Sequence, residues 1–290
     1  DADHAERIAG LFYDELIRHG TTTAAAFCSV HPQSSDAYFA QAQKRNMAMI
    51  GGKVMMDRNC PPELQDNAQQ GYDDTLSMIE RWHGKGRLHY AVTPRFAPTS
   101  TPEQLTLAGQ LLTEYPGLYM QTHISENLKE VEWVKALFPE RKNYLDVYDH
   151  FNLLGERSVF AHGVHLCDQE CQRLAETGSA VAFCPTSNLF LGSGLFNLPM
   201  AERHKLNVGL GTDVGAGTSF SILQTLNEAY KVMQLQDARL SPFKSLYLAT
   251  LGGARALRRP GTPDPGGVPP RAAGRCGRGA RRGADHLREH

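Results

Sequence analysis

Apolar and polar positions along this chain fall into short runs whose period changes again and again. Small and β-branched residues fill Thr21-Thr22-Thr23-Ala24-Ala25-Ala26-Phe27-Cys28-Ser29, which reads as a buried strand. Residues 47–56, 88–95, 119–123, 158–162, 179–184 and 207–213 read the same way. Between them the pattern predicts helices over 36–46, 63–82, 126–138, 144–150, 168–177, 219–236 and 242–257. Another starts at Thr101-Pro102-Glu103 and ends before Pro116, and the chain itself opens inside a helix that closes near Gly20. Pro61-Pro62 suits the opening of the 63–82 helix, because a first turn has no use for the N–H that proline lacks.

Strands that alternate with helices need crossover connections and so run parallel. Repetition beyond six units favours a closed barrel over an open sheet. The expected fold class is α/β, a (β/α)8 TIM-type barrel over residues 1–257, and 290 residues suit a domain that takes about 250. Seven strands are counted, one short of eight. The absent strand is the first, since the chain opens in a helix. From Arg258 the pattern stops: residues 258–290 are rich in Arg, Gly and Pro, with almost no large apolar residues. Such a segment cannot offset its ordering entropy by burial, so disorder is expected there. A natural flexible tail and a reading-frame error both account for so abrupt a change in composition.

Composition then narrows the function. A net charge of −1 gives no general attraction to nucleic acid or to anionic membrane. No apolar run approaches the roughly 20 residues a membrane span needs, and the start, Asp1-Ala2-Asp3-His4, carries no basic-then-apolar leader. Six scattered cysteines show no secreted-framework spacing, so reduced thiols in a cytoplasmic protein are expected.

The chemistry stands at the strand ends, where a β/α barrel keeps its active site. Three predicted strands close on His123, His162 and Asp213. A packed core has no use for three such groups together, but a metal ion does, since it takes neutral nitrogen and anionic oxygen ligands. Glu126 follows His123 by three residues, within reach of an activated water, where a carboxylate serves as general base and then general acid. Arg95 ends its own strand and offers a guanidinium fork for a planar substrate, and Phe96 beside it offers a ring to stack. Cys184 lacks a second cysteine at ligand spacing, so Ser187 and Asn188 after it are read as lining the mouth or bracing its loops. His31, His89 and His165 are read as non-ligands.

Together Thr93-Pro94-Arg95-Phe96, His123-Ile124-Ser125-Glu126-Asn127, Ala161-His162-Gly163, Cys184-Pro185-Thr186-Ser187-Asn188, Gly209-Leu210-Gly211-Thr212-Asp213 and Leu251-Gly252-Gly253-Ala254-Arg255-Ala256 resemble the amidohydrolase superfamily and, within it, the guanine deaminase family. The likeness runs from about Gly20 to Leu257. It implies one zinc held by His123, His162 and Asp213, with iron also suited to such a site, proton transfer by Glu126 assisted by Asp213, and a purine held at Arg95 and Phe96. The implied reaction is hydrolysis of guanine to xanthine and ammonia in a cytoplasmic homodimer. The family also carries a His-x-His ligand pair on its first strand, and a small β domain built from both termini. No His-x-His occurs in this sequence. The expectation is therefore a barrel lacking its first strand and the accompanying β domain, with weak metal binding and little or no turnover. A sister S-adenosylhomocysteine, triazine deaminase or chlorohydrolase would keep the metal residues and differ around Arg95 and Phe96. A non-catalytic barrel scaffold is the reading from another class.

Overall fold

The structure is a computed structural model that describes residues 1–258. Helix α1 (Ala2–Arg18) precedes β1 (Thr23–Phe27), and α2 (Pro32–Lys44) leads to β2 (Ala48–Gly52) and the two-residue β3 (Val54–Met55). Then α3 (Ala68–Trp82), β4 (His89–Pro94), α4 (Pro102–Glu114) and β5 (Tyr119–Ile124) follow in turn. Next come α5 (Leu128–Leu137), α6 (Tyr144–His150), β6 (Ser158–His162), α7 (Asp168–Glu176) and β7 (Ala180–Phe183). Two short helices, α8 (Pro185–Phe190) and α9 (Leu198–Arg203), lead to β8 (Asn207–Leu210) and α10 (Ile222–Gln234). The described chain ends with α11 (Pro242–Tyr247) and α12 (Gly253–Ala256). Among the described residues no helix is long and apolar enough to cross a membrane.

Every strand pair is parallel, and the order is β1-β2-β4-β5-β6-β7-β8, so each strand lies beside its predecessor. The short β3 pairs with β4 at Val54↔Thr93, in the same register as Gly51↔Tyr90 in β2. The two pieces are one strand position interrupted at Lys53. The seven positions are those that periodicity predicts. Glycine is required just before the break, because a Cβ on Gly52 would lie 1.9 Å from the Ala91 carbonyl oxygen.

The sheet curls like part of a barrel. In a flat sheet β1 and β5 would stand about 14 Å apart, three spacings of roughly 4.8 Å. Instead Gln121 Nε2 of β5 donates to the Ala26 carbonyl of β1 at 2.9 Å, and the rings of Phe27 and His123 have centroids 4.5 Å apart. Tyr119, Gln121 and His123 alternate along β5 and share this concave face. At its floor Ile50, Ala91 and Tyr119 pack with Ala25 and Leu257. The larger core lies on the convex side, under the helices, around Tyr38, Phe39, Met120, Tyr148 and Phe160.

Some expected boundaries move for physical reasons. The helix predicted over 63–82 is a 3-10 turn, Pro62–Leu64, followed by a break and α3, whose first turn is capped by Asn67 accepting from Gln70 N. Asp66 sits in the break because its carboxylate is drawn inward to Lys53, Nζ to Oδ2 2.6 Å. The helix predicted over 242–257 is split by a π turn at Leu248–Gly252. There the Gly252-Gly253 pair packs on β8 so closely that a Cβ on Gly209 would meet Gly253 Cα at 3.0 Å. The tail expected to be disordered lies, beyond Arg258, outside the described residues.

Candidate active site

The strand ends carry unusual backbone. His162, Asp213 and Ser125 adopt positive φ values of 74°, 48° and 47°. Side chains other than glycine rarely take this left-handed region, at a cost of order 1–3 kcal/mol each, and such residues cluster at working sites. The turn at Ser125 redirects the chain after β5, so that Glu126 stands across the mouth against the end of β6. The joint is held by Gly163 N donating to the Ile124 carbonyl at 2.9 Å and His165 N donating to the Ser125 carbonyl at 3.0 Å.

His123 and His162 lie with ring centroids 5.3 Å apart and planes 21° from parallel. Each has its Nδ1 tied to an atom that can only accept. His123 Nδ1 faces the Arg95 carbonyl oxygen at 2.7 Å, and His162 Nδ1 faces Asn188 Oδ1 at 2.9 Å. Neutral rings must therefore carry hydrogen on Nδ1 and keep a lone pair on Nε2. Burial, with His162 alongside, pushes the His123 imidazole down to about 3, so that ring is uncharged near neutrality. Glu126 Oε2 stands 3.7 Å from His162 Nε2, and Ser193 Oγ donates to Glu126 Oε1 at 3.3 Å.

Arg95 enters the site twice. Its carbonyl accepts from His123 N (3.1 Å), His123 Nδ1 (2.7 Å) and Thr122 Oγ1 (3.2 Å), while its guanidinium is exposed and close enough to act on the His123 charge. Phe96 is half-buried and meets the Trp133 ring edge-to-face, centroids 6.2 Å apart at 79°. Asp213, half-buried beyond β8, belongs to the same neighbourhood. Cys184's thiol is pushed up by burial first, then by the charges of Asp213 and Glu126.

His123, His162 and Glu126 are thus brought together, with Arg95 and Phe96 at their rim. Asp213 is close enough to Cys184 for its charge to act on that thiol, but among the described residues no three His, Cys, Asp or Glu side chains are gathered closely enough to hold a metal. The donor chemistry nonetheless suits a divalent ion, since with Nδ1 hydrogen-bonded each imidazole in its neutral form offers the Nε2 lone pair. Sequence reasoning missed the pocket of about 410 Å³ beside Glu126, lined by Phe96, Asn127, Lys129, Glu130 and Trp133. A tryptophan in the helix after the Glu126 turn was the one available signal. Asn188 does brace the site, though its specific partner, His162, was not foreseen.

Comparison with known proteins adds independent findings. The family model described as "Amidohydrolase family" matches residues 4–265. The Escherichia coli (strain K12) protein named guanine deaminase is 57% identical over 257 residues, covering 89% of this chain and 58% of that protein. The solved E. coli guanine deaminase gives a TM-score of 0.88 at 56% identity, over 89% of this chain and 61% of that one. The crystal structure of guanine deaminase from C. acetobutylicum with bound guanine in the active site gives 0.85 at 32% identity, over 89% and 64%. The chain spans less than two thirds of the length of these relatives.

Proposed function

The chain belongs to the amidohydrolase family, and on that footing we propose that its site serves hydrolytic deamination of guanine to xanthine and ammonia. The observation that carries the reading is the meeting of two Nδ1-tethered imidazoles with the Glu126 carboxylate at the curled sheet's mouth. Similarity to proteins named guanine deaminase supplies the substrate.

His123 and His162, through Nε2, and Asp213 would hold the ion, zinc by family likeness. When bound, it supplies Lewis acidity and lowers the pKa of water. Glu126 takes the proton of the attacking water as oxygen adds to the carbon bearing the amine. It passes that proton to the ring nitrogen, then takes the second proton from the new hydroxyl and gives it to the amine as the C–N bond breaks and the carbonyl forms, so one water is consumed and one ammonia released. The exposed Arg95 guanidinium faces a purine carbonyl or ring nitrogen, and Phe96 presents its ring to the base. Because Asp213 is not gathered with the two imidazoles into one closed cluster among the described residues, weak zinc binding and slow turnover are expected. The same reading makes the protein cytoplasmic and homodimeric.

Xanthine formation from guanine by the purified chain with added zinc tests this. Slow production, below the ordinary enzyme floor of about 1 s⁻¹, is expected and should vanish in Glu126→Gln. Adenosine-type or triazine turnover without guanine turnover would move the chain to a sister activity. The scattered ligand set favours one other reading, a barrel scaffold without chemistry, which predicts no metal uptake and no product.

A further inference from the structure

Trp133 is the large aromatic that the proposed chemistry leaves unused. It lies on α5 with 41% of its surface exposed, while Glu130 and Val134 on the same helix are buried. Its indole does not point idly to solvent. It meets Phe96 edge-to-face, and both rings line the pocket of about 410 Å³ whose wall includes Glu126. That volume is within the roughly 300–1,000 Å³ of small-molecule pockets, which pair apolar walls with a few polar groups. Here the apolar wall is Phe96 and Trp133, and the polar groups are Asn127, Lys129, Glu130 and Glu126, whose carboxylate also stands 3.7 Å from His162 Nε2. Trp133 and the proton-transfer group thus line the same pocket.

We infer that Trp133, together with Phe96, forms the aromatic wall that receives the planar nitrogen heteroaromatic substrate, and that Trp133 sets affinity for the base. The inference rests on the purine reading of the site and adds to it a specificity residue on α5. Stacking on an aromatic side chain is tolerant of ring substituents, whereas the Glu126 carboxylate requires a hydrogen-bond donor, which a base offers through N–H groups at its ring edge. The pair therefore favours flat, N–H-bearing bases over saturated or bulky amines.

The chain has two tryptophans. Trp82 packs on Phe39, centroids 5.7 Å apart, so Trp82→Phe keeps a ring there and leaves Trp133 as sole reporter. Titration of that protein with xanthine, which is not deaminated, should quench its fluorescence saturably. Equilibrium dialysis should show roughly tenfold weaker xanthine binding in Trp133→Ala, and recovery in Trp133→Phe, as expected for loss of one base-stacking contact. Circular dichroism checks that the Ala chain is folded. If xanthine binds by dialysis with fluorescence unmoved and equal affinity in Trp133→Ala, the inference is overturned and the purine reading stands. If xanthine does not bind at all, both fall.

Discussion

His123 is fixed tightly by its surroundings. Its Nδ1–H is spent on the Arg95 carbonyl at 2.7 Å, its ring is pressed between Phe27 and His162, and burial holds the imidazole neutral. The cost is a dependence of stability on acidity. Folding lowers the group from its ordinary 6.5 to about 3, so between these values the unfolded chain binds a proton that the folded chain refuses. The stabilising contribution is complete above 6.5 and is lost as pH falls toward about 3. Urea midpoints of chelator-treated protein at about pH 5 and about pH 8 should therefore differ less in His123→Phe than in the parent chain. An unchanged difference would contradict this assignment.

At this scale the sequence is half legible. His123, His162, Glu126 and Arg95 are visible because polar groups at strand ends have no packing role. Their anchors are not. The Arg95 carbonyl that orients His123 is backbone, which any residue would supply, and the pairing of Asn188 with His162 depends on how α8 sits over β6.

One element links the interior to the site. Lys53, 1% exposed at the interruption between β2 and β3, pairs with Asp66, 6% exposed, and Asp66 also accepts from Met56 N and Gln104 Nε2. Burial raises the Asp66 carboxyl and the Lys53 charge opposes that rise. The pair holds β3 against β4, where Met55 O accepts from Arg95 N at 3.2 Å, and Arg95 in turn holds His123. Removing one partner of such a buried pair strands the other charge, at about 3–5 kcal/mol. Lys53→Met should lower unfolding free energy in urea by that amount, and a loss under about 1 kcal/mol would show the pair to be dispensable. Periodicity located the strand around Lys53 but ran the following helix through Asp66. Pattern reading cannot see an ion pair that forms only when 13 residues of chain fold back on themselves.

For the molecule as a whole, the alternation of elements made the parallel order readable in advance, because short βα units leave few other connections. The curl that brings β1 to β5 was implied only by the barrel expectation. Its visible tie is a side chain, Gln121, reaching the Ala26 carbonyl, with Ile50, Ala91 and Tyr119 packed on the concave face. This curvature makes one site of groups scattered along the chain.

In the proposed metal site, His123 and His162 present their Nε2 atoms to a single divalent ion, with Asp213 as a further ligand. Cobalt(II) titration of the metal-free chain, followed by visible absorption, tests it most directly. One weak site is expected, abolished in His123→Ala and in His162→Ala and weakened in Asp213→Ala. An absent spectrum, or one equally strong without His162, would contradict it.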